Sequence, residues 1–447
     1  MARVSRGISP ARVVRDVRDT LREAPRRTTI IAGLVGLGSL LAYAVLRHFA
    51  HVSMIDALVY QAEGRAVLHG QDLYQLRVID GDASLPATYP PFAAMLFTPV
   101  ALLSVSALRV VVTSVNLVQL AVVAYLSCKL ADWPRRPLRP AAVMLVTGLG
   151  VWLEPVWTTL RYGQINLLIL ALVLYDLTLP DSCRRKGIAI GLAAGLKVTP
   201  GFFVLYLLLT RRYRAAATAA AAGASTVLFG LLVLPHATWD FWTKELYDTT
   251  RVGKEFIVDN QSLRGLVDRL LSSTHTGLST MALVALTVVV GLGTAVLIDR
   301  RCGGMPRARA WSVVTVGVTM VLISPISWTH HWVWCVPLMV LLAAEVSAER
   351  RRGVPGWPGR RWWLLRLGTG FAFCSFAMWA VPHRSWTKVN VPAYLQPMAS
   401  VYALYGLAFL AFVALRVRRR LGAGPGAPGT VWGGTAARER PRAGARG

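Results

Sequence analysis

Apolar runs of roughly 15 to 22 residues recur along most of this 447-residue chain, and short clusters of Arg and Lys separate them. A hydrocarbon core about 30 Å thick needs about 20 apolar residues per helical crossing, so the repetition specifies an all-α polytopic membrane protein. A soluble helical fold has no use for 54% hydrophobic residues, 16% charged residues and a mean hydropathy of +0.48. The net charge of +27 could suit nucleic acid, but the basic residues sit in juxtamembrane clusters and tails rather than on one amphipathic face. Topology and anionic membrane lipids account for them, and no nucleic-acid partner is expected. The five cysteines show no metal-ligand spacing and are expected as free thiols.

Basic clusters lie in the N-terminal tail, at Arg135–Arg139, Arg184–Lys186, Arg211–Arg214, Arg300–Arg309, Arg350–Arg361 and Arg416–Arg420. The positive-inside rule places them all in the cytoplasm, so each stretch between two clusters crosses an even number of times. Three apolar runs precede Arg135, and the middle one, Pro91–Ser106, opens on Tyr89-Pro90-Pro91 and holds Pro99. It is expected to lie as a helix at the outer interface. Between Lys186 and Arg211 a hairpin of two short helices satisfies the count, with its corner at Lys197-Val198-Thr199-Pro200 and Lys197 facing a polar cavity.

About twelve crossings follow, near 29–48, 109–130, 140–158, 166–180, 187–199, 201–210, 214–235, 279–298, 311–325, 332–347, 362–381 and 397–416. Both termini then face the cytoplasm. Residues 1–28 read as a basic tail, 29–420 as one transmembrane domain and 421–447 as a disordered tail. Because no convincing cleavage site follows the first apolar run, that run is expected as a retained helix. The outer segments, 49–108, 159–165, 236–278, 326–331 and 382–396, hold most of the acids, amides and aromatics. Function is expected there.

Asp56 stands within about two turns of the end of the first helix, and such a carboxylate can take a proton from a hydroxyl or simply cap a helix. Asp80 and Asp82 read as a polar loop tip. Glu154-Pro155 and Arg161-Tyr162-Gly163-Gln164-Ile165-Asn166 place an acid, a cation and two amides at the edge of apolar helices. Asn260-Gln261-Ser262-Leu263-Arg264 suits sugar hydroxyls or phosphate oxygens, or a helix start. His330 and His331 adjoin Trp328, Trp332 and Trp334; adjacent histidines on a helix diverge by about 100°, which disfavours a shared metal. The tryptophans fit an interfacial belt or a stacking surface. No Walker A, dinucleotide-binding, HExxH or GxSxG context occurs, so nothing supports nucleotide-driven chemistry.

In order, Asp56-x-x-Val59-Tyr60, Tyr89-Pro90-Pro91-Phe92-Ala93, Glu154-Pro155, Tyr162-Gly163-Gln164-Ile165-Asn166, Lys197-x-Thr199-Pro200, Asn260-Gln261-Ser262-x-Arg264-Gly265 and Ser324 to Trp334 form one series. The series resembles the polyprenyl-phosphate-mannose-dependent alpha-(1,2)-mannosyltransferases of actinobacteria, glycosyltransferase family 87, over about residues 50 to 340. The resemblance implies a GT-C fold and inverting transfer of mannose, on the extracytoplasmic face, from polyprenyl-phosphate-mannose to the 2-hydroxyl of a mannose-containing glycolipid, with no cofactor and no metal. It implies Asp56 as catalytic base. Lys197, Arg264, His330 and His331 are then expected at the donor phosphate, and Tyr60, Tyr89, Glu154, Arg161, Gln164, Asn166, Asn260, Gln261 and Trp328 at sugar or acceptor. One departure concerns the residue after the base, where relatives carry Leu and this chain has Ala57. A transferase for another lipid-linked sugar fits the same residues, whereas a flippase predicts inverted repeats that are not evident.

Overall fold

The computed structural model describes residues 23–49, 52–80, 83–351, 360–382 and 390–422. The expected tails therefore lie largely outside the described residues, as do most of the cluster near 350–361 and part of the outer segment 382–396. Helix α1 (Arg26–Phe49) is followed by α2 (Ile55–His69), a two-stranded ribbon, short helices α3 (Pro91–Leu96) and α4 (Thr98–Ala101), and the long α5 (Val105–Leu130). Then come α6 (Arg139–Gly150), α7 (Glu154–Tyr162), α8 (Asn166–Thr178), α9 (Ile188–Leu196), α10 (Phe202–Leu209), α11 (Tyr213–Val233), α12 (Pro235–Thr243) and α13 (Leu263–Leu270). Helices α14 (Gly277–Arg301), α15 (Ala308–Ile323), α16 (Cys335–Arg351), α17 (Arg360–Cys374) and α18 (Val401–Gly422) complete the domain. All five cysteines are free thiols.

Among the described residues six helices are long and apolar enough to cross a bilayer, seven if α6 and α7 count as one bent span. Six of the twelve expected crossings fall on these long helices; those near 140–158, 166–180, 187–199, 201–210, 311–325 and 362–381 fall on bent or shorter ones, and two of these places show why. Between α6 and α7 the axis bends by 72°, because Pro155 starts a new helix inside the expected span 140–158. The hairpin at Lys197 is present, but its arms have nine and eight helical residues, about 14 and 12 Å at 1.5 Å per residue. Neither arm crosses alone.

Glycines set the hairpin against α11. A Cβ on Gly187 would lie 2.2 Å from the Ala215 carbonyl oxygen, one on Gly191 2.4 Å from that of Ala219, and one on Gly195 against Thr226. Both series ascend together, so α9 and α11 run parallel and α10 is the return arm. At the feet of the hairpin, Lys186 and Arg212 both pair with Asp181, at 2.9 and 3.0 Å, and Arg309 joins them at 3.1 Å. Arg307 and Arg416 meet at Glu345. Basic clusters far apart in sequence thus converge, away from the Lys197 corner.

The expected interfacial helix is divided. Pro99 has no N–H to offer the Met95 carbonyl, and the Thr98 hydroxyl donates to that oxygen instead, at 2.9 Å. The chain bends at Phe97 into α3 and α4, and Ser104 caps α5 by accepting from the Ala107 N–H. The expected polar loop at Asp80 is partly a ribbon, with Arg77–Asp80 antiparallel to Ala83–Pro86. β-Branched Val78 and Ile79 favour this pairing.

Substituting Gly191→Ala should overpack the α9–α11 contact at a cost of about 1–3 kcal/mol, whereas Gly293→Ala, with open space around it, should be neutral. Thermal unfolding in detergent monitored by size exclusion checks the contrast: equal midpoints would contradict the packing.

Candidate active site

Two left-handed residues bring α2 onto the end of α7. Met54, at φ 51°, donates its N–H to the Arg161 carbonyl at 3.1 Å. Gly163 ends α7 at φ 73°, and a Cβ there would lie 2.6 Å from the Ala57 Cβ. This close docking sets Asp56, in the first turn of α2, beside Gln164. On the same helical face follow Tyr60 and Glu63, at the i, i+4, i+7 spacing.

The Tyr60 and Tyr89 hydroxyls lie 2.9 and 3.1 Å from Gln164 Oε1 and 3.0 Å from each other. The Gln164 amide lies by the Asp56 carboxyl and favours its ionised form. Asn166 Nδ2 donates to the His330 carbonyl at 3.1 Å, and its Oδ1 accepts from Lys197 Nζ at 3.4 Å. Lys197 Nζ reaches His331 Nε2 at 2.8 Å and sits 5.6 Å from the centre of the Tyr89 ring. Beneath this polar row, Asn166, Lys197, Ser327 and His331 line a cavity whose deeper wall is Leu170, Val173 and Val321.

Burial pushes Asp56 up to about 6, against the lowering effects of the Gln164 hydrogen bond and the Lys197 charge. Glu63 is buried with no hydrogen-bond partner at either carboxyl oxygen, and desolvation holds its carboxyl up at about 8. It is therefore protonated at neutral pH. Glu63 is the residue the sequence reading missed; its seven-residue offset from Asp56 was the available signal. Buried His330 carries an Nε2 without a partner, and its ring packs edge-on to Tyr162 at 5.8 Å. The Arg161 guanidinium stacks on Tyr162 and Trp379, at 5.6 and 5.3 Å. Among the described residues no three His, Cys, Asp or Glu side chains converge as metal ligands.

Other expected contacts stand elsewhere. Glu154 is fully buried and accepts from Thr158, Tyr402 and Trp379, which ties α7 to α18 rather than offering oxygens to a sugar. Asn260 bonds the Glu255 and Pro325 carbonyls and accepts from the Ser262 and Ser327 N–H groups. Gln261 likewise spends its amide on Val258, Ala399 and Tyr402. Trp328 packs on Gly253, where a Cβ would lie 2.9 Å from its ring. Arg264, expected at a phosphate, is already held by Glu255 at 3.0 Å and Asp268 at 2.9 Å. Asn260, Gln261 and Trp328 clamp the outer segment to the 324–334 corner and to α18, while Arg264 braces that segment internally.

A membrane-embedded helical domain gathers a carboxylate, two amides, a lysine and a histidine, and the comparisons with known proteins give its class, a glycosyltransferase. Residues 87–325, just over half of the chain, match the model of glycosyltransferase family 87, and the chain belongs to that family. A polyprenol-phosphate-mannose-dependent alpha-(1-2)-phosphatidylinositol mannoside mannosyltransferase of Mycobacterium tuberculosis is 34% identical over 331 residues, 71% of this chain and 76% of that protein. Two polyprenol-phosphate-mannose-dependent alpha-(1-2)-phosphatidylinositol pentamannoside mannosyltransferases are similar over more of the chain. The one from M. tuberculosis is 32% identical over 88% of each chain, and the one from Mycolicibacterium smegmatis 33% identical over 81% and 85%. No solved structure matches.

Asn260→Ala strands several buried backbone groups and should cost about 1–3 kcal/mol for each group left unpaired. The expected result is a lowered unfolding midpoint with unchanged KM for either substrate in the folded fraction. A raised KM at an unchanged midpoint would return Asn260 to the substrate.

Proposed function

We propose that this chain transfers mannose from polyprenyl-phosphate-mannose to the 2-hydroxyl of a mannosylated phosphatidylinositol-type glycolipid, with inversion. The observation that carries the reading is the polar row from Gln164 through Asn166 and Lys197 to His331, with the Asp56 carboxyl set by its Gln164 end. The relatives' shared donor and linkage supply the substrate class.

Asp56 removes the proton of the acceptor hydroxyl as its oxygen attacks the anomeric carbon from the face opposite the lipid phosphate. The bond from that carbon to the phosphate oxygen breaks, and polyprenyl phosphate departs with the electron pair. Its added negative charge falls to Lys197 and the neighbouring histidines, which are fixed before the reaction starts. Arg264, neutralised by two carboxylates, is left with a structural role.

Asp56→Asn should lower transfer by about 10²- to 10⁴-fold, the range of general-base catalysis. Only the ionised base works, so wild-type kcat/KM should fall as pH drops through about 6. Turnover of radiolabelled donor with a mannosylated lipid in membranes reads both; full activity in Asp56→Asn removes the base assignment, and donor binding without transfer removes the enzymatic one.

The acceptor-facing side is proposed as extracytoplasmic, since the basic clusters gathered at Asp181 and Glu345 mark the opposite, cytoplasmic end. In a background without native cysteines, an impermeant thiol reagent should label Gln71→Cys on intact cells and Arg185→Cys only after permeabilisation. The reverse pattern would invert the topology.

A further inference from the structure

We propose that the Ser327 hydroxyl donates a hydrogen bond to the phosphate of the lipid donor, beside Lys197, and that this bond strengthens as the phosphate departs. The contact presupposes the polyprenyl-phosphate-mannose donor and adds an uncharged partner to the cations that meet it.

Ser327 is fully buried and lines the same cavity as Lys197 and His331. Its main chain is already spent. The N–H donates to Asn260 Oδ1 at 2.9 Å, and the carbonyl accepts from the Gln261 N–H at 2.8 Å. The next residue, Trp328, pairs with Asn260 as an antiparallel bridge. In such an extended pair the bonded main-chain groups lie toward the partner strand and side chains stand out of that plane. The two bonds therefore fix where the Ser327 side chain starts without engaging it, and the second, main chain to main chain, does not depend on the Asn260 amide. No protein group meets the Ser327 hydroxyl.

Its polar neighbours around the cavity are committed. Ser324 donates its hydroxyl to the Ile326 carbonyl at 2.8 Å. Asn166 gives its NH₂ to the His330 carbonyl and its oxygen to Lys197. An ammonium carries three hydrogens, and Lys197 directs two of them at Asn166 and His331. One ammonium hydrogen and one hydroxyl hydrogen are thus unspent on the same cavity wall. The cavity measures about 40 Å³. A single water needs about 10–15 Å³, so the space admits a group with several oxygens. Its deeper wall is Leu170, Val173 and Val321, which suits an anion that continues into hydrocarbon, as a lipid phosphate does. A buried hydroxyl without a partner is unfavourable until a ligand oxygen arrives. When the donor's phosphodiester becomes a monoester its charge rises from one toward two, and a hydrogen bond to the more highly charged acceptor is the stronger one. The contact therefore favours the departing state over the bound donor.

The test compares wild type with Ser327→Ala, both purified and supplied with polyprenyl-phosphate-mannose and a mannosylated phosphatidylinositol. The variant should lose about 10- to 100-fold in kcat, the worth of one hydrogen bond to a charged group, with a smaller rise in donor KM and an unchanged acceptor KM. Polyprenyl phosphate, added as product inhibitor, should bind the variant about tenfold more weakly. The unfolding midpoint should hold, because the hydroxyl removed leaves no protein group unpaired. Wild-type kcat and product affinity in Ser327→Ala overturn the contact. A lowered midpoint with unchanged product affinity in the folded fraction makes the hydroxyl structural, and a change confined to acceptor KM moves it to the acceptor; each overturns the contact as well. Wild type that binds polyprenyl phosphate but transfers no mannose defeats the proposed function itself, while the difference in affinity between wild type and Ser327→Ala still decides the contact.

Discussion

A charged lysine at the tip of a broken helical hairpin is the constraint around which the rest of the site is arranged. Inside a membrane domain, freed backbone groups and an ammonium are tolerated only beside protein or trapped water. Lys197 therefore needs polar neighbours, and Asn166 and His331 provide them from two other parts of the chain. Satisfying that single ammonium pulls the start of α8 and the 329–334 corner together. Through Asn166 and Gln164 the same row continues to Asp56. What stabilises the break in the helix also assembles the chemistry.

Where hydrophobic length and charge speak directly, the architecture was legible: the long helices fall close to their expected limits, and the hairpin corner falls at Lys197. Crossings that depend on axis direction were not. Pro155 reads equally well as a tolerated proline at a helix edge or as the start of a helix turned by 72°, and only the packing of α7 decides between them. The divided helix at Phe97 has the same cause, since the substitution of the Thr98 hydroxyl for a missing N–H is a local bargain that hydropathy does not register.

The site divides along similar lines. Asp56, Gln164, Asn166, Lys197 and the histidines could be picked out because polar groups beside apolar helices need a reason. Glu154, Asn260, Gln261 and Arg264 met that criterion too, and their reason is structural: each is spent on partners inside the protein. Residue type and depth do not separate a polar group that holds the scaffold from one that awaits a substrate. The number of bonding positions left open does, and this is a property of three-dimensional neighbours. Glu63 escaped notice for the opposite reason, lying in an outer segment where a carboxylate is ordinarily solvated.

At Gly163 the main chain comes so near to Ala57 that position 163 has no room for another carbon. Ala57 thus works as a spacer between two helices, and its size sets how closely the turn that carries Asp56 meets the turn that carries Gln164. The gap between those two turns is then a dimension that a single apolar residue can adjust while every polar group of the site stays the same.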